Sequence, residues 1–295
     1  MPRAVLWIWR VCAIHYAIGS AAYLHFLLTG SYRYLTLYFL VLGTPFLLLN
    51  AAAEFYFAFE CRSGFDPDEP LRMTWTFIAL AALARFIAAA LIFLDHWRPS
   101  SFRGSSSLVL GMTLSRSLAE IGEVTGGPLA MILLLIALSR VLSVQHRFGV
   151  LRGLSRIDVL MIGVIIAFMI GEAARIAHYL GPSSGRPSLA QAVLWLSDPL
   201  LGLLLIQAVL IRRSVNRVGV GLVSQCWGTY VIAILATLAG DASIWATGES
   251  LLSEPLVVLT WYIWFFVAAA FASAPAYQLA AMKLPILQKG RVLQR

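Results

Sequence analysis

Apolar residues in this chain come in runs of about twenty, the length a helix needs to cross the hydrocarbon core of a bilayer. Polar residues collect between the runs. The pattern predicts an all-α, polytopic membrane helix bundle with eight spans, over about 4–28, 44–60, 72–95, 127–145, 156–179, 198–213, 224–246 and 254–281. The connection from Asp95 to Gly126 is long, and its part from Leu108 to Val124 is amphipathic. Leu110, Leu114, Leu118 and Ile121 share one helical face, and Arg116 and Glu120 stand four apart on the polar side, where they can pair. That predicts a helix lying on the outer membrane surface near 108–124. The segment is too polar for a ninth span.

The spans predict a repeat. Helices entering from the outer side begin alike, at Thr44-Pro45-Phe46, Gly127-Pro128-Leu129, Asp198-Pro199-Leu200 and Glu254-Pro255-Leu256. Proline suits a first helical turn, where its missing N–H costs nothing, and Thr, Gly and Asp are helix N-caps. The helices running the other way correspond as well: Trp75 and Trp227 sit near their inner ends, and Gly171-Glu172-Ala173 matches Gly240-Asp241-Ala242. The expected unit is an αα-hairpin present four times, over approximately 1–62, 63–148, 149–217 and 218–295, in one integral membrane domain spanning 1–295. The outward-running helices are rich in Ala and Gly, which permit close helix approach in lipid. They are expected inside the bundle, with the bulkier inward-running helices toward lipid.

Composition agrees with lipid as the solvent. Hydrophobic residues make up 60% of the chain and charged residues 12%, about half the share in a soluble domain. The net charge of +8 is no sign of nucleic-acid binding, because the basic residues lie in loops, where they set orientation. Arg3, Arg62, Arg72, Arg140, Arg147, Arg152, Arg156, Arg212, Arg213, Arg217, Lys283, Lys289, Arg291 and Arg295 fall on one side; Arg33, Arg98, Arg103, Arg116 and Arg186 fall on the other. The richer side is expected to be cytoplasmic, with both termini there, and the location a bacterial cytoplasmic (inner) membrane. Arg10 and His15 interrupt the first apolar run, so it reads as an uncleaved span and not a signal peptide. Cys12, Cys61 and Cys226 are far apart and lack metal-site spacing.

Ionisable groups inside spans are expensive and face the bundle interior, paired or hydrated. Glu54 lies about nine residues in from Pro45 and Arg85 about thirteen in from Arg72, both near mid-membrane on adjacent helices; an ion pair is expected. Glu172 and Arg175, three apart, can pair on one helix. With Asp241, Asn50 and Gln207 they either line a polar cavity or act as hydrogen-bonded glue between helices. His25, His96 and His178 end three outward-running helices, each followed by an aromatic residue. Such imidazoles are interfacial anchors, or they converge on a metal or a quinone headgroup. His15, alone within a span, reads as a hydrogen-bonded core residue.

No phosphate-binding loop, dinucleotide glycine pattern or nucleophile elbow occurs, and no cofactor is specified. The reading is a membrane module without evident catalysis. It would be sensor-like or accessory, binding a lipid, a quinone or a larger membrane complex, with partner subunits or a homo-oligomer as its company. Two alternatives stand beside it: a small-molecule transporter using Glu54, Arg85, Glu172 and Asp241, and a quinone- or metal-interacting redox subunit.

Overall fold

A computed structural model of the chain describes residues 1–96, 121–122, 124–150, 154–179, 196–218, 221–247 and 256–292. The described residues are helical apart from short connections. In chain order the α-helices are α1 (Arg3–Thr29), α2 (Arg33–Tyr38), α3 (Thr44–Ser63), α4 (Pro70–His96), α5 (Ala130–Arg147), α6 (Arg156–Tyr179), α7 (Ser197–Val218), α8 (Leu222–Thr247) and α9 (Leu256–Val292). Six segments are long and apolar enough to cross a membrane: Arg3–Thr29, Arg33–Ser63, Pro70–Leu94, Thr125–Arg147, Leu222–Ala242 and Trp261–Leu284. Large apolar side chains such as Trp7, Ile14, Leu28, Ile157, Leu160 and Val164 cover the outside. Water would not tolerate that surface, whereas lipid is its natural solvent. The chain is an integral membrane protein.

Six helices close a ring. α3 packs on α4, α4 on α5, α5 on α7, α7 on α8, α8 on α9, and α9 returns to α3. α1 and α2 lie outside the ring, with α1 against α9, and α6 lies outside it against α7. The main core fills the ring with Trp75, Ile78, Leu138, Leu204, Trp227 and Tyr230, among others. A second, aromatic core joins α1 to the ring through Phe26, Tyr38, Phe46 and Phe265.

Two proline starts differ from expectation. α2 and α3 are one helical run, joined by a π-helical turn at Phe39–Gly43, so Thr44 is not an N-cap. Its backbone is already helical, and its hydroxyl donates back to the Leu40 carbonyl. Pro45 cannot donate to the carbonyl four residues earlier, and its ring crowds that group. The wider π turn just before it relieves both problems. Pro128 sits likewise within a π-helical turn, Thr125–Leu129, after residues that are already helical. Pro199 does fall in the first turn of α7. Glu254 and Pro255, and most of the amphipathic 108–124 segment, lie outside the described residues.

The small-residue rule holds for α4, holds in part for α8, where Ala239 is exposed, and fails for α6. Ala79, Ala81, Ala82, Ala84, Ala88 and Ala89 of α4 are buried, as are Ala233 and Gly240 of α8. On α6, however, Gly163, Ala167, Gly171, Ala173 and Ala174 are exposed. α9, expected from the sequence to run inward, buries Ala269, Ala270, Ala272, Ser273 and Ala274. Small side chains allow close approach without saying which helix will come near. α6 meets α7 through Ile165 and Met169, which lie against Gly202, and is tied down at its start as well. Ser155 and Asp158 cap its first turn reciprocally, and Asp158 pairs with Arg213 of α7.

Candidate functional site

The site is built from the centres of three buried stripes. On a helix, residues three and four apart share a face. Around Glu54 on α3, the residues Asn50, Ala51 and Ala58 are buried; around Arg85 on α4, Ala81, Ala82, Ala88 and Ala89 are buried. Around Tyr230 on α8, Cys226, Trp227, Ala233 and Ile234 are buried. The three side chains therefore point into the ring.

Inside it, Arg85 and Glu54 form a two-pronged ion pair. Nε of Arg85 donates to Oε2 of Glu54 at 2.9 Å, and Nη2 donates to Oε1. The guanidinium lies over the ring of Phe271 from α9, 4.3 Å from its centroid, a favourable stacking in a desolvated setting. Tyr230 of α8 belongs to the same buried cluster. Its ring tilts against Trp227 at 5.6 Å and meets Phe271 edge-on at 6.1 Å. The Tyr230 hydroxyl is fully buried and has no hydrogen-bond partner among the described residues, an expensive condition for a polar group in this setting.

Arg85 also keeps something back. Its side chain is 17% exposed, against 2% for Glu54, although its four neighbours on the stripe are buried. A guanidinium carries five N–H donors, and Glu54 takes two of them. Among the described residues, Arg85 makes no other hydrogen bond to a protein group. The centre thus combines a pair of zero net charge, spare guanidinium donors and an unfilled hydroxyl.

The other expected site residues are dispersed. Asn50 lies one turn from Glu54, but its Nδ2 donates to the Phe46 carbonyl of its own helix at 2.9 Å. Gln207 of α7 donates to Ser139 of α5 at 2.8 Å, which ties two ring helices together. Asp241 is half-buried on α8, next to Gly240, which packs against Trp264. At its repeat counterpart Gly171 no described atom lies within 4 Å of the corresponding Cβ position. The side chains of Glu172, Arg175, His96 and His178 lie outside the described residues. His25 is half-buried near the end of α1, its ring edge-on to Tyr34 at 4.7 Å. Among the described residues, no three His, Cys, Asp or Glu side chains come together as a metal site would require. His15 is buried, with Nε2 hydrogen-bonded to the Tyr38 hydroxyl at 2.8 Å and its ring stacked on Phe46 at 4.2 Å.

Sequence reading missed Tyr230 and Phe271. The available signal was depth: a tyrosine in lipid prefers the interface, and Tyr230 stands well inside its span. No protein-family model matches the chain, and no curated protein or solved structure is significantly similar to it.

Proposed function

We propose that this protein is a non-catalytic membrane module that acts by binding. It takes a hydrophobic ligand of the lipid or quinone class and serves as a sensor-like or accessory subunit. The observation that carries this reading is the centre inside the helix ring, where Arg85 and Tyr230 hold hydrogen-bonding capacity that no group among the described residues uses. Ionisable residues inside a span are costly, which supports a functional reading of the pair. The outward face of α6, with Ile157, Leu160, Val164 and Ile170 exposed, offers a second surface, for lipid or for a partner subunit. The test is purification in a mild detergent followed by native mass spectrometry. A bound apolar small molecule or a stoichiometric membrane partner is expected. Recovery of the bare chain, with neither, would defeat the reading.

The topology belongs to the same proposal. α6 and α7 are continuous helices over Arg156–Tyr179 and Ser197–Val218 and supply two further spans, making eight. α4 with α5, α6 with α7, and α8 with α9 pack as neighbouring pairs, which supports tandem hairpins. The basic-residue asymmetry of the loops supports a cytoplasmic location for both termini, in what we read as a bacterial inner membrane. Reporter fusions after Arg152, Arg217 and Arg295 should read cytoplasmic, and fusions at Ser184 and Ser250 exoplasmic. The reverse pattern would overturn the orientation.

A further inference from the structure

We propose that the Arg85–Tyr230 centre binds a neutral, apolar molecule through a carbonyl oxygen, which accepts hydrogen bonds from the spare guanidinium N–H groups and from the Tyr230 hydroxyl. The inference deepens the ligand-binding reading above and rests on it. Four observations carry it. Arg85 points into the ring and its side chain is 17% exposed, against 2% for Glu54. The guanidinium has donors that Glu54 does not fill. The buried Tyr230 hydroxyl is without a partner among the described residues. The surrounding walls are aromatic, from Phe271 and Trp227.

The chemistry of these groups selects the ligand. Both unfilled groups donate, and a carbonyl oxygen has two lone pairs to accept with. Charge selects further. Glu54 already neutralises Arg85, so a carboxylate entering the site would leave a net negative charge in a medium that solvates it poorly. A neutral acceptor adds no charge. A quinone and the ester of an acylglycerol both present such a carbonyl on an apolar body.

The experiment uses the full chain in dodecyl maltoside with three probes: decylubiquinone, dioleoylglycerol and oleate. One of the two neutral carbonyl probes should raise the melting temperature saturably, and which one does so separates a quinone from a lipid source. Oleate should not. Tyr230→Phe keeps the ring and removes the hydroxyl; it should fold as well as the unaltered protein but need about tenfold more probe for half-saturation, the size of one lost hydrogen bond. A readout that needs no variant is the infrared C=O stretch of the carbon-13-labelled probe, which should move to lower frequency on binding. Absence of a shift with both neutral probes, an equal response to oleate, or an unchanged half-saturation in Tyr230→Phe would each overturn the site. A native small molecule that stays bound equally well to Tyr230→Phe would overturn this site while leaving the binding-module reading intact. Recovery of the bare chain would remove both.

Discussion

Replacing Arg85 with Met should destabilise the protein by about 3–5 kcal/mol, because it strands a carboxylate inside the ring. Glu54→Gln should cost a similar amount by stranding the guanidinium. Even on the lenient insertion scale, a lone arginine at mid-span costs about 2.5–3.5 kcal/mol. The double variant, Glu54→Gln with Arg85→Met, removes both charges and keeps the volume, so it should recover part of the loss. The expected signature is a coupling of about 2 kcal/mol or more between the two sites, read from melting temperatures of purified variants in one detergent. Strict additivity of the single effects would show that the pair does not act as a unit. The double variant should also lose the response to a carbonyl probe, since the spare guanidinium donors go with Arg85. Regained stability without regained binding separates a residue that serves a ligand from one that serves only packing.

The pair was legible because depth is a counting problem. Two opposite charges near the middle of adjacent antiparallel spans have few partners other than each other, so Glu54 and Arg85 could be matched from the chain alone. The neighbours that give the pair chemical interest were not legible. Tyr230 and Phe271 come from α8 and α9, more than a hundred residues away in sequence, and helix order around a ring is not encoded in periodicity. The start of α3 was misread for a different reason. Proline in a first turn and proline after a π turn look the same in sequence, and what separates them is whether the preceding residues continue the helix, as Arg33 to Gly43 do. The place of α6 was missed because glycine and alanine report a capacity for close contact, with no partner named. The Asp158–Arg213 contact escaped notice because both residues sit near loop ends, where charge reads as orientation. The Ser155-x-x-Asp158 spacing does announce the start of α6.

The same residue type at two positions gives opposite expectations. A methyl group at Gly19 of α1 would stand 2.5 Å from Cζ and from the hydroxyl oxygen of Tyr38, and 2.8 Å from the hydroxyl oxygen of Tyr262. The Tyr38 ring cannot retreat freely, because it is hydrogen-bonded to His15; the Tyr262 hydroxyl lies 3.5 Å from Ser20 Oγ of α1. Gly19→Ala must therefore push Tyr38 off His15 or move α1 away from α9, at about 1–3 kcal/mol. Gly163 of α6 has no described atom within 4 Å of the corresponding point. Gly163→Ala should be neutral, or stabilising by up to about 1 kcal/mol through helix propensity. Melting temperatures of the two variants in the same detergent decide the matter. A Gly19→Ala variant as stable as the unaltered protein would mean that α1 does not seat against Tyr38 as described. A Gly163→Ala variant that loses stability would mean that the open face of α6 is covered in the purified protein, and the native mass spectrum of the same sample would show whether a partner or a second copy covers it.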